Sequence, residues 1–130
     1  MNGESTPPSA GDVLNAGNEP ENSPGQQELR DIAEVPAVEV ITAAAVHLMS
    51  AAAVKCGLAE DAEADLDEAR KLITALAALV TAAAPEIGNQ HARPLRDGLR
   101  TLQLAFREAS VVPDAPGQGP GERWTGAVLP

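Results

Sequence analysis

Few residues of this 130-residue chain have chemistry available to them: His47 and His91, the single Cys56, an acidic run from Glu60 to Glu68, and a stripe of arginines at 93, 96, 100 and 107. A thiol nucleophile needs a base beside it, yet nine residues separate His47 from Cys56, which puts them about 180° apart on an ideal helix. Cys56 also falls at the C-terminal end of an apolar helical stretch, where the helix dipole raises a thiol pKa. It reads as a structural thiol. His47 has no second ligand at the i+4 spacing that a helical metal site prefers, so it is expected to be a partly buried histidine bonded to another helix. His91 reads as an exposed histidine in an 89–93 loop, near Arg93 and Glu86.

The acids Glu60, Asp61, Glu63, Asp65, Asp67 and Glu68 lack the glycine and the closing glutamate of a calcium loop. They suit a solvated linker followed by a helix start, whose dipole favours negative charge. No catalytic residue, metal ligand or cofactor is therefore assigned, and no enzyme is expected. The arginine stripe is the remaining chemistry. Its first expected use is internal pairing with the acids at the start of the second helix. The alternative is contact with an anionic partner through Arg93, Arg96, Arg100 and Arg107, as in a translation- or ribosome-associated factor touching RNA or ribosomal protein.

Three helices must position these groups, in an all-α fold. The first is expected from Pro36 to Cys56: Pro36 suits a first helical position and Gly57 the residue just past the end, with Leu58 folding back on the last turn. Its residues are apolar nearly all round, with Val38, Ile41, Ala45, Leu48 and Ala52 at alternating three and four spacing, which predicts burial on most faces. The second starts near Asp65, where Glu68 three residues on makes a variant capping box. Its stripe is Leu66, Ala69, Ile73, Leu76, Val80 and Ala83, widened by Leu72 and Leu79, and Pro85 and Gly88 end it. The third is expected from about Pro94 to Ala109, with Leu95, Leu99, Leu102, Phe106 and Ala109 as its seam. Gly98 interrupts it, at a cost in stability or to allow close approach of another helix. Loops of eight to ten residues favour an up-down-up three-helix bundle, or a helical hairpin plus a third helix.

The flanks differ. Residues 1–34 and 111–130 hold eight of the eleven prolines and eight of the eleven glycines. They read as a disordered acidic arm (1–34) and a disordered Pro/Gly-rich tail (111–130) around a helical domain at 35–110. Of the net charge of −10, the arm carries −6, the domain −3 and the tail −1. That balance repels phosphate backbones and disfavours direct nucleic-acid binding.

The strings Cys56–Gly57–Leu58, Asp65–Leu66–Asp67–Glu68–Ala69–Arg70–Lys71–Leu72–Ile73 and Leu95–Arg96–Asp97–Gly98–Leu99–Arg100 resemble the family known as domain of unknown function 1844, over roughly residues 34–110 and in the style of its actinobacterial members. The resemblance implies a small helical fold and no assigned reaction, cofactor or catalytic residue. It also implies a genomic setting near translation initiation factor 3 and two large-subunit ribosomal proteins.

A domain of this size with one Phe and mostly aliphatic, Ala-rich helices buries little apolar area per residue. The expectation is a non-enzymatic interaction module that self-associates or docks on a protein partner, with Ala44, Leu48, Ala52, Leu99 and Phe106 as the contact residues. With a lone cysteine and no opening basic-then-apolar segment, it is expected in the cytoplasm. The first helix has the length of a membrane span, but Glu39 and His47 interrupt it and alanine barely favours hydrocarbon, so no membrane is expected.

Overall fold

Asp65 begins the part of the chain whose folding is easiest to explain. In the computed structural model, which describes residues 33–130, the Asp65 carboxylate accepts the Glu68 amide at 3.3 Å. It thus caps the first turn of a 22-residue helix. In chain order the helices are α1 (Ala37–Lys55), α2 (Leu66–Ile87), α3 (Asn89–Ala109) and the short α4 (Glu122–Thr125). No strand occurs among the described residues. The reading of 1–34 as a disordered arm lies, but for its last two residues, outside the described residues. Ile41–Pro130 form one compact unit.

α2 and α3 are a helical hairpin. Ala69, Ile73, Leu76, Ala77, Val80, Ala83 and Ala84 of α2 are buried, as are Ala92, Leu95, Leu99, Leu102, Gln103 and Phe106 of α3. Most of the predicted stripe is among them, but Leu66, Leu72 and Leu79 are half-buried, Ala109 is exposed at the end of α3, and Ala77, Ala84, Ala92 and Gln103 are buried in addition. The large members contribute about 1.5–3 kcal/mol each on burial, enough to make this pair the core of the fold.

The connections differ from expectation. Residues 56–65 form the long first loop, closed by the Asp65 amide donating to the Lys55 carbonyl at 2.7 Å. The second connection is Gly88 alone, at φ +88°, which a residue with a side chain rarely adopts. α3 therefore starts at Asn89, five residues before Pro94, and His91 is on its first turn instead of in a loop. Pro94 is tolerated because its exposed side of the helix leaves the released Gln90 carbonyl to water.

α1 ends as predicted. The Leu58 amide donates to Ala53 at 3.0 Å and Gly57 to Val54 at 2.9 Å, a Schellman exit with Gly57 at φ +85°. The Leu58 side chain, however, stays exposed. The Met49 side chain of α1 reaches over Gly98 of α3, so a β-carbon at 98 would collide with the Met49 sulfur. Gly98 makes room for the Met49 side chain. The predicted burial of α1 on most faces is overturned: only Ala45 and Ala52 of its 19 residues are buried. Ala45 and Ala52, with Leu48, Met49 and Ala53 partly buried beside them, meet the core along one face of the helix and leave the other uncovered.

The expected disorder of 111–130 is corrected too. Asp114 takes both its carboxylate oxygens to Arg70 Nη2, at 3.1 and 2.9 Å, and its carbonyl accepts Arg107 at 3.5 Å. Buried Gln103 donates to the Pro120 carbonyl and to Thr125 Oγ1, both at 3.1 Å. The Glu122 carboxylate accepts the amides of Gly119 (3.0 Å) and Val128 (3.2 Å), and Val128 is buried. The segment has no apolar periodicity; Arg70 of α2 holds its Asp114 carboxylate, and Arg100, Gln103 and Arg107 of α3 hydrogen-bond its backbone carbonyls.

Candidate functional site

Two features of Ile41–Pro130 and its leading helix offer surface beyond what folding uses. The first is the outward face of α1. On a helix with 100° per residue, Val40, Ala43, Ala44, Ser50, Ala51 and Val54 all fall within about 60° of His47. All but half-buried Ala51 are exposed, His47 included, and Val46 on the flank is 48% exposed. α1 thus carries a second apolar seam at alternating three and four spacing, opposite the one that meets the hairpin. Only Glu39 and Lys55 carry formal charge on the helix, one at each end. By length and composition, with a mean hydropathy of 1.7, α1 is also long and apolar enough to cross a membrane.

The five residues expected to contact a partner separate on this geometry. Ala52, Leu99 and Phe106 are buried in the core, because the hairpin and α1 use them against each other. Leu48 is partly buried against that core, and Ala44 alone is fully on the surface. The sequence signal for the missed seam was present: Val40, His47 and Val54 recur every seven residues, with Ala43, Ala44 and Ala51 between them, so they return on the same side of the helix. His47 is exposed in the middle of that seam, where a partly buried residue bonded to another helix was expected.

Cys56 is buried, and burial pushes its thiol pKa up. The direction is that of a structural thiol. Desolvation by burial is its cause. His91 is exposed. Among the described residues no group of three or more His, Cys, Asp or Glu side chains is gathered as a metal site would need.

The second feature is the arginine stripe. Among the described ion pairs, Arg70–Asp114 and Lys71–Glu68, none involves it, so the expected pairing with the acids of α2 does not form. Arg96 Nη1 donates to Asn89 Oδ1 at 3.0 Å, Arg100 Nη2 to the Leu129 carbonyl at 2.9 Å, and Arg107 to Asp114. Arg93 is exposed. Arg96 and Arg100 border a cleft of about 460 Å³ between α2, α3 and the C-terminal segment, whose far wall is Trp124. The Arg123 guanidinium stacks over the Trp124 ring, 4.9 Å from its centroid.

The family described as Domain of unknown function (DUF1844) matches residues 37–108, which run from the first residue of α1 to the last turn of α3. That is 72 of the 130 residues. The chain belongs to this family. The DUF1844 region takes in the exposed α1 seam, the hairpin and all four stripe arginines, whereas Trp124 and the segment holding it lie beyond the matched residues. No curated protein and no solved structure matches the chain.

Proposed function

We propose that this DUF1844 protein is a non-enzymatic interaction module of the cytoplasm, and that its first partner is a second copy of itself, joined through the outward seam of α1. The observation that carries the reading is a 19-residue apolar helix with only Ala45 and Ala52 buried, whose other face repeats small and branched residues around His47. A seam of alanines lets two helix backbones approach closely, and a heptad spacing keeps them in contact along their length. Leaving such a surface in water is unfavourable.

An antiparallel pair crossing at His47 suits the residues best. It sets Val40 opposite the partner's Val54 and Ala43 opposite the partner's Ala51, and it opposes the two helix dipoles. It also brings Glu39 to the same end of the pair as the partner's Lys55, where a parallel pair would gather like charges. The two-fold symmetry makes the surface self-complementary.

Cysteine crosslinking tests the register. In a Cys56→Ala background, His47→Cys should form a disulfide dimer under mild oxidant, because the two-fold axis places that position against itself within bridging distance. Val40→Cys and Val54→Cys should each crosslink poorly alone and efficiently when mixed. Efficient self-crosslinking at 40 and at 54 would mean a parallel pair, and no crosslinking at any of the three would remove the interface.

A further inference from the structure

The cleft bordered by Arg96, Arg100 and Trp124 has no part in the α1 seam, and its makeup is that of a ligand site. Its volume of about 460 Å³ lies within the range of small-molecule pockets, roughly 300–1,000 Å³. Its floor is apolar, made by Val80, Leu99 and Val128. Val80 and Leu99 come from the packed hairpin, so the floor is preformed and rigid. Its rim is cationic. Arg96 and Arg100 are four residues apart on α3, which sets them on one face of the helix about 5–6 Å apart at Cβ.

Neither guanidinium is used up by the fold. Arg96 and Arg100 are each joined by one described hydrogen bond to a neutral oxygen, of Asn89 and Leu129, out of five donors that an arginine carries. Two cations without a described anionic partner beside an apolar floor select a molecule that brings both a negative group and a greasy body. The wall that closes the cleft is fixed: Gln103, 4% exposed, ties both ends of α4 to α3 by donating to the Pro120 carbonyl just before it and to the Thr125 hydroxyl at its last residue. Such anchoring holds Trp124 over the cleft before any ligand arrives, which lowers the ordering cost of binding.

We infer that this cleft binds a small organic anion, a carboxylate or phosphate group carried on a hydrocarbon or ring body, with the anion against Arg96 and Arg100 and the body between Leu99 and Trp124. Trp124 is the chain's one tryptophan and tyrosine is absent, so intrinsic emission reports on this wall alone.

The test titrates the full-length protein with octanoate, 1-octanol and inorganic phosphate while following Trp124 emission and the single indole N–H resonance. Octanoate should shift both saturably, with octanol and phosphate each binding about tenfold or more weakly, since each lacks one half of the recognition. Arg96→Gln should weaken octanoate about tenfold while leaving the melting temperature unchanged. Backbone amide shifts at Val80, Ala84 and Leu99 in the wild-type protein keep the test independent of that variant. No saturable response to octanoate, an equal response to octanol, unchanged affinity in Arg96→Gln, or shifts confined to α1 would each overturn the assignment.

Discussion

Gly121 lies so close to Ala77 that a β-carbon at position 121 would stand 2.6 Å from the Ala77 methyl. The residue also sits at φ +78°. The segment after α3 is thus seated on α2 at a point where both chains present almost no side chain. Gly121→Ala should strain the backbone and overpack the contact, destabilising the fold by about 1–3 kcal/mol. Urea unfolding followed by Trp124 emission measures it, and an unchanged midpoint would show that the segment contributes nothing to stability.

Arg70 holds the same segment from the other end, clasping Asp114 at 2.9 Å while its guanidinium lies 5.0 Å from the Phe106 ring centroid. Both partners are part exposed, 44% and 30%, so solvent screens the pair. A double-mutant cycle with Arg70→Ala and Asp114→Ala should give a coupling of about 0.5–1 kcal/mol that shrinks in high salt. A coupling near zero at low salt would leave the contact without energetic weight.

At Gly98 two effects oppose each other. Alanine there gains about 1 kcal/mol of helix propensity but pushes against the Met49 sulfur. Methionine is flexible, so Gly98→Ala should be close to neutral. Gly98→Val adds bulk that Met49 cannot clear and should cost about 1–3 kcal/mol, read as a lower melting temperature. Equal melting temperatures for both variants would mean that α1 does not press on α3.

Cys56 gives a pH signature. Its pKa in the folded chain is raised by burial, so the fold favours the neutral thiol. That contribution is complete below the ordinary thiol pKa of about 8.5 and is lost as pH rises through the higher folded value. Stability should therefore fall on the alkaline side in the wild type and fall less in Cys56→Ala. A thiol reagent at pH 8 should label the native protein far more slowly than the unfolded one; equal rates would contradict the burial.

Much of the hairpin was legible in the sequence. Leu66 to Ala83 and Leu95 to Phe106 carry helical periodicity strong enough to name the buried face, and Asp65 and Gly57 mark ends by their own chemistry. Two things were hidden for physical reasons. The order of 111–130 rests on single polar contacts, Gln103 to the Pro120 carbonyl, Arg70 to the Asp114 carboxylate and Glu122 to the Gly119 and Val128 amides, which leave no period to read. The exposure of α1 was hidden because Val40, His47 and Val54 look as core-like as Ile41, Ala45 and Ala52; only the size of the hairpin decides which seam is covered. For the same reason Ala52, Leu99 and Phe106 looked available to a partner before the core claimed them.

Sedimentation equilibrium of the full-length chain beside His47→Glu reads out whether the outward seam of α1 joins two copies. His47 is exposed, so the substitution leaves the subunit's own core intact while placing two carboxylates against each other in the pair. The wild-type protein should be a dimer at tens of micromolar and the variant a monomer of unchanged helix content. A wild-type monomer at that concentration, or a variant dimer as strong as the wild type, would contradict it.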